Sequence, residues 1–235
     1  MHRFILLLCI LAAMNISTTN QMPFPSQEIT LNTREKTLKL LCPQDPEMVL
    51  NSITDEQYEK DKFLPYWAEH WPSAQVLFPF IEKSKTQLST PNTRICELGC
   101  GLGIVSSLLA QFNHSVFSVD ISPQACIYSK ENISRNGGIS RVIVSDWRAM
   151  AFKKEFDLVV ASDVLYEQRW IDPVLNCIKG LLKPGGKAWI ADPCRRFWEI
   201  FKQTAAQSGF TVKIIHNGTV NKTKVEIVEL SKVLS

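Results

Sequence analysis

From Thr93 onward, short apolar runs rich in β-branched residues alternate with stretches of helical spacing. The runs are RICEL, SVFSVD, RVIVSD, FDLVVASDV and KAWIADP. Between them lie GIVSSLLAQF, PQACIYSKENISRN and IDPVLNCIKGLL. The first, fourth and fifth runs are largely apolar, as strands covered on both faces are. Alternation on this scale predicts right-handed βαβ units and a parallel sheet. The helical stretch RRFWEIFKQTAAQSG then leads to two further strands, FTVKIIH and TKVEIVEL. Asn217-Gly218 lies between these two strands, and that dipeptide signals an antiparallel hairpin.

The chain before Thr93 reads differently. Residues 1–26 form an extension, apolar from Phe4 to Met14 and then polar with two prolines. Residues 27–90 form a second segment. In it EITLNTREKTLKLLC alternates like a hairpin, TDEQYEKD predicts a short helix, and a helix from Ser73 ends near Lys83. Residues 91–235 carry the α/β core. The run Phe4–Met14 is too short to span a bilayer as a helix. It resembles a signal-peptide core, but the NISTTNQ that follows is a poor cleavage region. A cytoplasmic chain without stable membrane insertion is expected, with export or organelle targeting as the alternative.

Composition narrows the chemistry. A net charge of +3, with no run of basic residues, gives no footprint for a nucleic-acid partner. The seven cysteines are scattered, and no pair has zinc or redox spacing, so reduced thiols and no metal are expected. The chain is long enough to bury a full core as a monomer.

The densest signal is Glu97-Leu98-Gly99-Cys100-Gly101-Leu102-Gly103, placed between a strand and a helix. Gly99 and Gly101 let the backbone approach a ligand, and the helix start offers free N–H groups. The spacing is G-x-G-x-G with an acid two residues before the first glycine, which is not the dinucleotide fingerprint. Asp120 and Ile121 end the second strand, where a carboxylate accepts from ribose hydroxyls. Asp146 and Trp147 end the third, placed for the edge and face of an adenine. Ser162 and Asp163 end the fourth, followed by Tyr166. Lys183-Pro184-Gly185-Gly186 reads as a tight turn before the fifth strand. Each residue has a plainer reading too: turn glycines, helix caps at Asp120, Asp146 and Asp163, core packing for Trp147 and Tyr166. The coincidence of all of them in chain order favours a ligand site.

ELGCGLG, VDIS, SDW, FDLVVASDVLY and LKPGG resemble the successive motifs of the seven-strand class I S-adenosylmethionine-dependent methyltransferases. The resemblance implies a Rossmann-like, doubly wound α/β sheet of seven strands. It is mostly parallel with a C-terminal antiparallel strand, and an N-terminal extension precedes it. It also implies S-adenosylmethionine as cofactor, held by Trp71, Glu97, Gly99, Cys100, Gly101, Asp120, Ile121, Asp146, Trp147 and Ser162. Asp163-Val164-Leu165-Tyr166 resembles the D-x-x-Y motif of the family-16 lysine methyltransferases. PYWAEHWPSAQVL resembles the segment with which that family covers its cofactor, Trp71 being the matching tryptophan. With ADPCRR it most resembles the lysine methyltransferases of the electron-transfer flavoprotein β-subunit, in which glycine stands where this chain has Cys194.

The resemblance implies a lysine-bearing protein substrate, with Asp163 and Tyr166 as the catalytic pair: Asp163 meets the amine and Tyr166 shapes its channel. The chain lacks the D-P-P-Y or N-P-P-Y sequence of base-directed amino-methyltransferases. A small-molecule amine of the nicotinamide type is the rival substrate.

Overall fold

A computed structural model describes residues 22–85, 88, 93–112 and 114–232. The apolar run Phe4–Met14 lies outside the described residues, as does most of the 1–26 extension. Seven strands form the main sheet: β3 (Arg94–Leu98), β4 (Ser115–Asp120), β5 (Ser140–Val144), β6 (Phe156–Ser162), β7 (Leu182–Asp192), β8 (Phe210–Val220) and β9 (Thr223–Lys232). A separate two-stranded hairpin precedes them, β1 (Ser26–Asn32) with β2 (Thr37–Pro43).

The order across the main sheet is β5-β4-β3-β6-β7-β9-β8. β3 pairs in parallel with both β4 and β6, and β9 alone points against the other strands, pairing antiparallel with β7 and β8. The winding reverses between β3 and β6. A crevice therefore opens beyond the carboxyl ends of those strands, where doubly wound sheets bind ligands.

Alternate residues of each strand serve two cores. Ile95, Val116, Val160 and Trp189 join a cluster with helices α3 (Pro72–Lys83), α4 (Ile104–Leu109) and α5 (Pro123–Arg135) and with Leu38 and Leu40 of the hairpin. Cys96, Phe117, Val159 and Ile190 face the other cluster, under α6 (Ile171–Leu181) and α7 (Trp198–Gln207). Both sheet faces are thus out of water, which explains the largely apolar runs. Truncating a fully buried leucine such as Leu98 to alanine costs roughly 2–5 kcal/mol in such a core.

The N-terminal segment is fastened to this frame by polar contacts. Asn132, fully buried on α5, accepts from the N–H of Leu41 at 2.7 Å and donates to the carbonyls of Leu41 and Leu102. Its amide is consumed by the fold, so the Asn-x-Ser sequence there is not an open modification site. Two short helices follow the hairpin, α1 (Pro46–Asn51) and α2 (Asp55–Asp61), the latter opened by a Thr54–Gln57 capping box. Among the described residues no helix is long and apolar enough to cross a membrane.

Two local expectations are corrected. The C-terminal hairpin turns at Asn221-Lys222, not at Asn217-Gly218. Asn221 and Lys222 have φ of 47° and 67°, as a two-residue primed turn requires. Gly218 lies within β8, where a Cβ would stand 2.4 Å from Val76 Cγ1 of α3. The glycine serves close helix–sheet approach rather than a turn. The Lys183–Gly186 stretch is absorbed into β7 as an irregularity of register between Phe156 and Leu158, with Gly185 at φ 78°.

Candidate functional site

The loop after β3 is shaped by glycines in the left-handed region. Gly99, Gly101 and Gly103 have φ of 66°, 48° and 75°. A Cβ on Gly99 would meet Val164 Cγ1 at 2.9 Å, and one on Gly103 would meet Ser129 Cα at 2.8 Å. The loop is pinned by the N–H of Cys100 donating to Val119 O and that of Gly103 donating to Cys100 O.

Two buried carboxylates hold this loop from either side. Glu97 Oε2 accepts from the N–H of Ser106 at 2.9 Å and from the Ser106 hydroxyl. Ser106 is in the first turn of α4, so Glu97 satisfies an otherwise unbonded helix donor. Burial pushes the Glu97 pKa up to about 8, against the pull of both Ser106 bonds. Asp120 Oδ2 accepts from the N–H of Gly101, and Oδ1 from that of Ser122, each at 2.9 Å. Burial also raises the Asp120 pKa, opposed by these backbone bonds.

An aromatic cover lies over the loop. The turn Tyr66–Ala68 places Trp67 against Gly101, and Trp71 Nε1 donates to Tyr66 O at 2.6 Å. The Tyr66 ring meets that of Tyr166 at 4.6 Å and that of Trp71 at 6.2 Å. Trp147 packs edge-on against Trp170 at 5.6 Å and lies beneath Gly99. Burial raises the hydroxyl pKa of Tyr166, so it stays a neutral phenol.

Asp163 sits at the rim in a left-handed conformation, φ 59°, with its side chain 5% exposed. Its Oδ2 accepts from the N–H of Ser73, in the first turn of α3, at 2.9 Å. Arg195 Nη1 lies 2.7 Å from Oδ1, an ion pair whose N–H is poorly aligned on that oxygen. Burial raises the Asp163 pKa and the Arg195 charge opposes it. The neighbouring Asp192 is pushed up to about 6, chiefly by burial.

These elements line one cleft between the strand ends and the aromatic cover. Trp71, Glu97, Gly99, Cys100, Gly101, Asp120, Ile121, Trp147, Ser162, Asp163 and Tyr166 all line it. Asp146 is placed differently from expectation. Its carboxylate accepts from the N–H of Arg148 at 2.8 Å and from the Arg148 guanidinium, capping its own short turn outside the cleft lining. Tyr66 and Glu69 line the cleft without having been singled out in the sequence. The pairing of Tyr66 with Tyr166 is non-local, and only the aromatic cluster around Trp67 and Trp71 hinted at it. Among the described residues, no cluster of His, Cys, Asp and Glu is arranged to hold a metal.

The arrangement suits a ligand with a hydroxylated part, held at Asp120 and the glycine loop, and a flat ring beside Ile121 and Trp147. Side chains at Gly99 or Gly103 would collide with the walls of that cradle.

A family profile described as a methyltransferase domain matches residues 89–229. The ribosomal protein L11 methyltransferase of Vibrio cholerae is 35% identical over 94 residues, 40% of this chain and 31% of that protein. The electron transfer flavoprotein beta subunit lysine methyltransferase of Danio rerio is 28% identical over 142 residues, 57% of this chain and 52% of that protein. The chain thus spans about a third and about half of these two relatives. Among solved structures, magnesium protoporphyrin IX methyltransferase of Synechocystis PCC 6803 with bound SAM superposes with a TM-score of 0.57. It is 17% identical and covers 81% of this chain and 98% of that one.

Proposed function

This chain belongs to the methyltransferase-domain family, and from that premise we propose that it methylates lysine side chains of a protein. S-adenosylmethionine, when bound, would supply a methyl carbon to the amine nitrogen, the new C–N bond forming as the bond from that carbon to the sulfonium sulfur breaks and the sulfur keeps its electron pair. Gly99, Gly101, Asp120, Ile121, Trp147 and Trp71 are the residues that would hold it. Cys100 and Ser162 complete the walls, and Glu97 keeps the loop in shape.

The observation that carries the reading is Asp163, a buried carboxylate lining the cleft, whose Oδ2 is held by Ser73 and whose Oδ1 faces the Arg195 guanidinium at 2.7 Å without an aligned hydrogen bond. A buried carboxylate with acceptor capacity left over at the wall of a cleft is uncommon and can take a further donor. An amine must be neutral to act as a nucleophile. Asp163 accepts one of its N–H bonds and orients the lone pair, and the released proton passes to water. Tyr166 and Tyr66, in ring contact at 4.6 Å, wall the channel along which the four-carbon stem of a lysine enters. The names of both curated relatives refer to protein substrates, which supports a protein acceptor.

The same aromatic wall favours a second reading, since the ring of a nicotinamide-like amine would stack on Tyr66 or Tyr166. Tritiated S-adenosylmethionine with an extract split into macromolecules and small-molecule filtrate separates the two. Tritium co-eluting with methyl-lysine after hydrolysis of the protein pool supports the proposal. Tritium confined to the filtrate replaces it with the second reading.

A further inference from the structure

The chain leaves β7 through Asp192, Pro193 and Cys194, and Cys194 adopts φ 57°. The N–H of Arg195 donates to Asp192 Oδ1 at 2.8 Å, closing a turn. That turn sends the Arg195 side chain back across the strand ends. Its Nη1 lies 2.7 Å from Asp163 Oδ1 and 3.3 Å from Asp192 Oδ2. Its Cζ stands 5.6 Å from the centre of the Trp71 ring. The other Asp163 oxygen is held by Ser73, directly after the Trp71-Pro72 pair. One guanidinium therefore touches the ends of two central strands and the aromatic cover.

We propose that Arg195 is a positioning residue that clamps the segment Tyr66–Ser73 onto the cleft and aims the Asp163 carboxylate at the acceptor amine. The aiming half rests on the role proposed above for Asp163; the clamp does not. Arg195 is 24% exposed and its two carboxylate partners 5% and 1%. Attraction among such groups is little screened by salt. Removing the cation would leave two carboxylates facing each other in a buried place. The groups around Asp163 are then Asp192 on β7, the Ser73 amide at the start of α3, and Tyr166 in its own loop, none of them cationic. The planar fork and the stacking on Trp71 suit arginine, and a lysine ammonium reproduces the charge without the geometry.

The test uses the full chain with Arg195→Met, which keeps the length of the stem, and Arg195→Lys, which restores the charge. Hydrogen exchange is followed in residues 66–77 and, as reference, in β3 and β4. S-adenosylhomocysteine affinity is measured by calorimetry. For Arg195→Met, exchange in 66–77 should rise tenfold or more while the reference strands are unchanged. Affinity should fall about fivefold, and Arg195→Lys should recover part of both. Exchange that is unchanged in 66–77, or that rises equally in β3 and β4, would overturn the clamp. Where wild-type enzyme labels protein lysine, Arg195→Met should lower kcat tenfold or more, and an unchanged kcat overturns the aiming role. A wild-type enzyme that labels no protein sinks the lysine reading alone, because the exchange result needs no acceptor.

Discussion

The N–H of Gly101 donates to Asp120 Oδ2 at 2.9 Å, joining the glycine loop to the tip of β4. The other oxygen of the same carboxylate is taken by Ser122. Asparagine at 120 offers one acceptor where two are needed and turns an NH₂ toward a backbone donor. Losing a charge-assisted bond of this kind costs roughly 1.5–3 kcal/mol, or roughly 10–100-fold in affinity. Asp120→Asn should weaken S-adenosylhomocysteine binding by about that factor in calorimetry while the protein stays folded by circular dichroism. Unchanged affinity would remove Asp120 from the site.

Glu97 makes stability depend on pH in a direction opposite to that of an acid paired with a cation. Its folded pKa of about 8 lies above the ordinary 4.5, so the native state holds a proton that the unfolded chain has lost. Stability from this group is full below pH 4.5 and declines as pH rises toward about 8, at up to ~1.4 kcal/mol per pH unit. Asp192, pushed up to about 6, contributes the same trend only at lower pH. Glu97→Gln keeps an acceptor for Ser106 and removes the titration. Denaturant unfolding of this variant should lose most of the wild-type slope between about pH 6 and about pH 8. An equal slope in both proteins would contradict the buried, protonated Glu97.

Gly103 and Gly137 share nearly the same backbone, φ 75° and 73°, but not the same surroundings. A Cβ on Gly103 meets the Ser129 backbone at 2.8 Å, whereas Gly137 has nothing within 4 Å. Alanine at either site costs ~1–2 kcal/mol for the left-handed conformation. Gly103→Ala should cost a further ~1–3 kcal/mol for overpacking. Equal thermal shifts for the two variants would show that the loop can move aside.

Cys194 occupies a left-handed position, φ 57°, with an exposed side chain. The strain there exceeds the entropic cost of glycine in the unfolded chain by up to ~1 kcal/mol. Cys194→Gly should therefore raise Tm by a few degrees, read by a thermal melt under reducing conditions. A lower Tm would mean that the thiol contributes packing that outweighs the strain.

Much of this was legible in the sequence, for reasons that are local. The alternation from Thr93 onward reports strands covered on both faces, and Gly99, Gly101 and Asp120 sit at strand ends that the topology brings to one crevice. What escaped is non-local or conformational. Asn217-Gly218 looked like a turn because a glycine chosen for its closeness to Val76 has the same letter as one chosen for φ. The cap reading of Asp146 was visible in the sequence, but the return of the Arg148 guanidinium onto its carboxylate was not. The meeting of Arg195, Asp163 and Ser73 joins residues up to 122 positions apart, a separation that no periodicity records.

The most direct test of the central claim is Asp163→Asn, which keeps an oxygen for the Ser73 N–H and removes the carboxylate charge. Methyl transfer from tritiated S-adenosylmethionine to protein lysine is measured beside S-adenosylhomocysteine affinity. The expected result is transfer reduced by roughly a hundredfold or more, in line with loss of a group that handles the proton, with affinity within about threefold of wild type. Equal loss of both would place Asp163 in the cofactor site, and full transfer would contradict its role toward the amine.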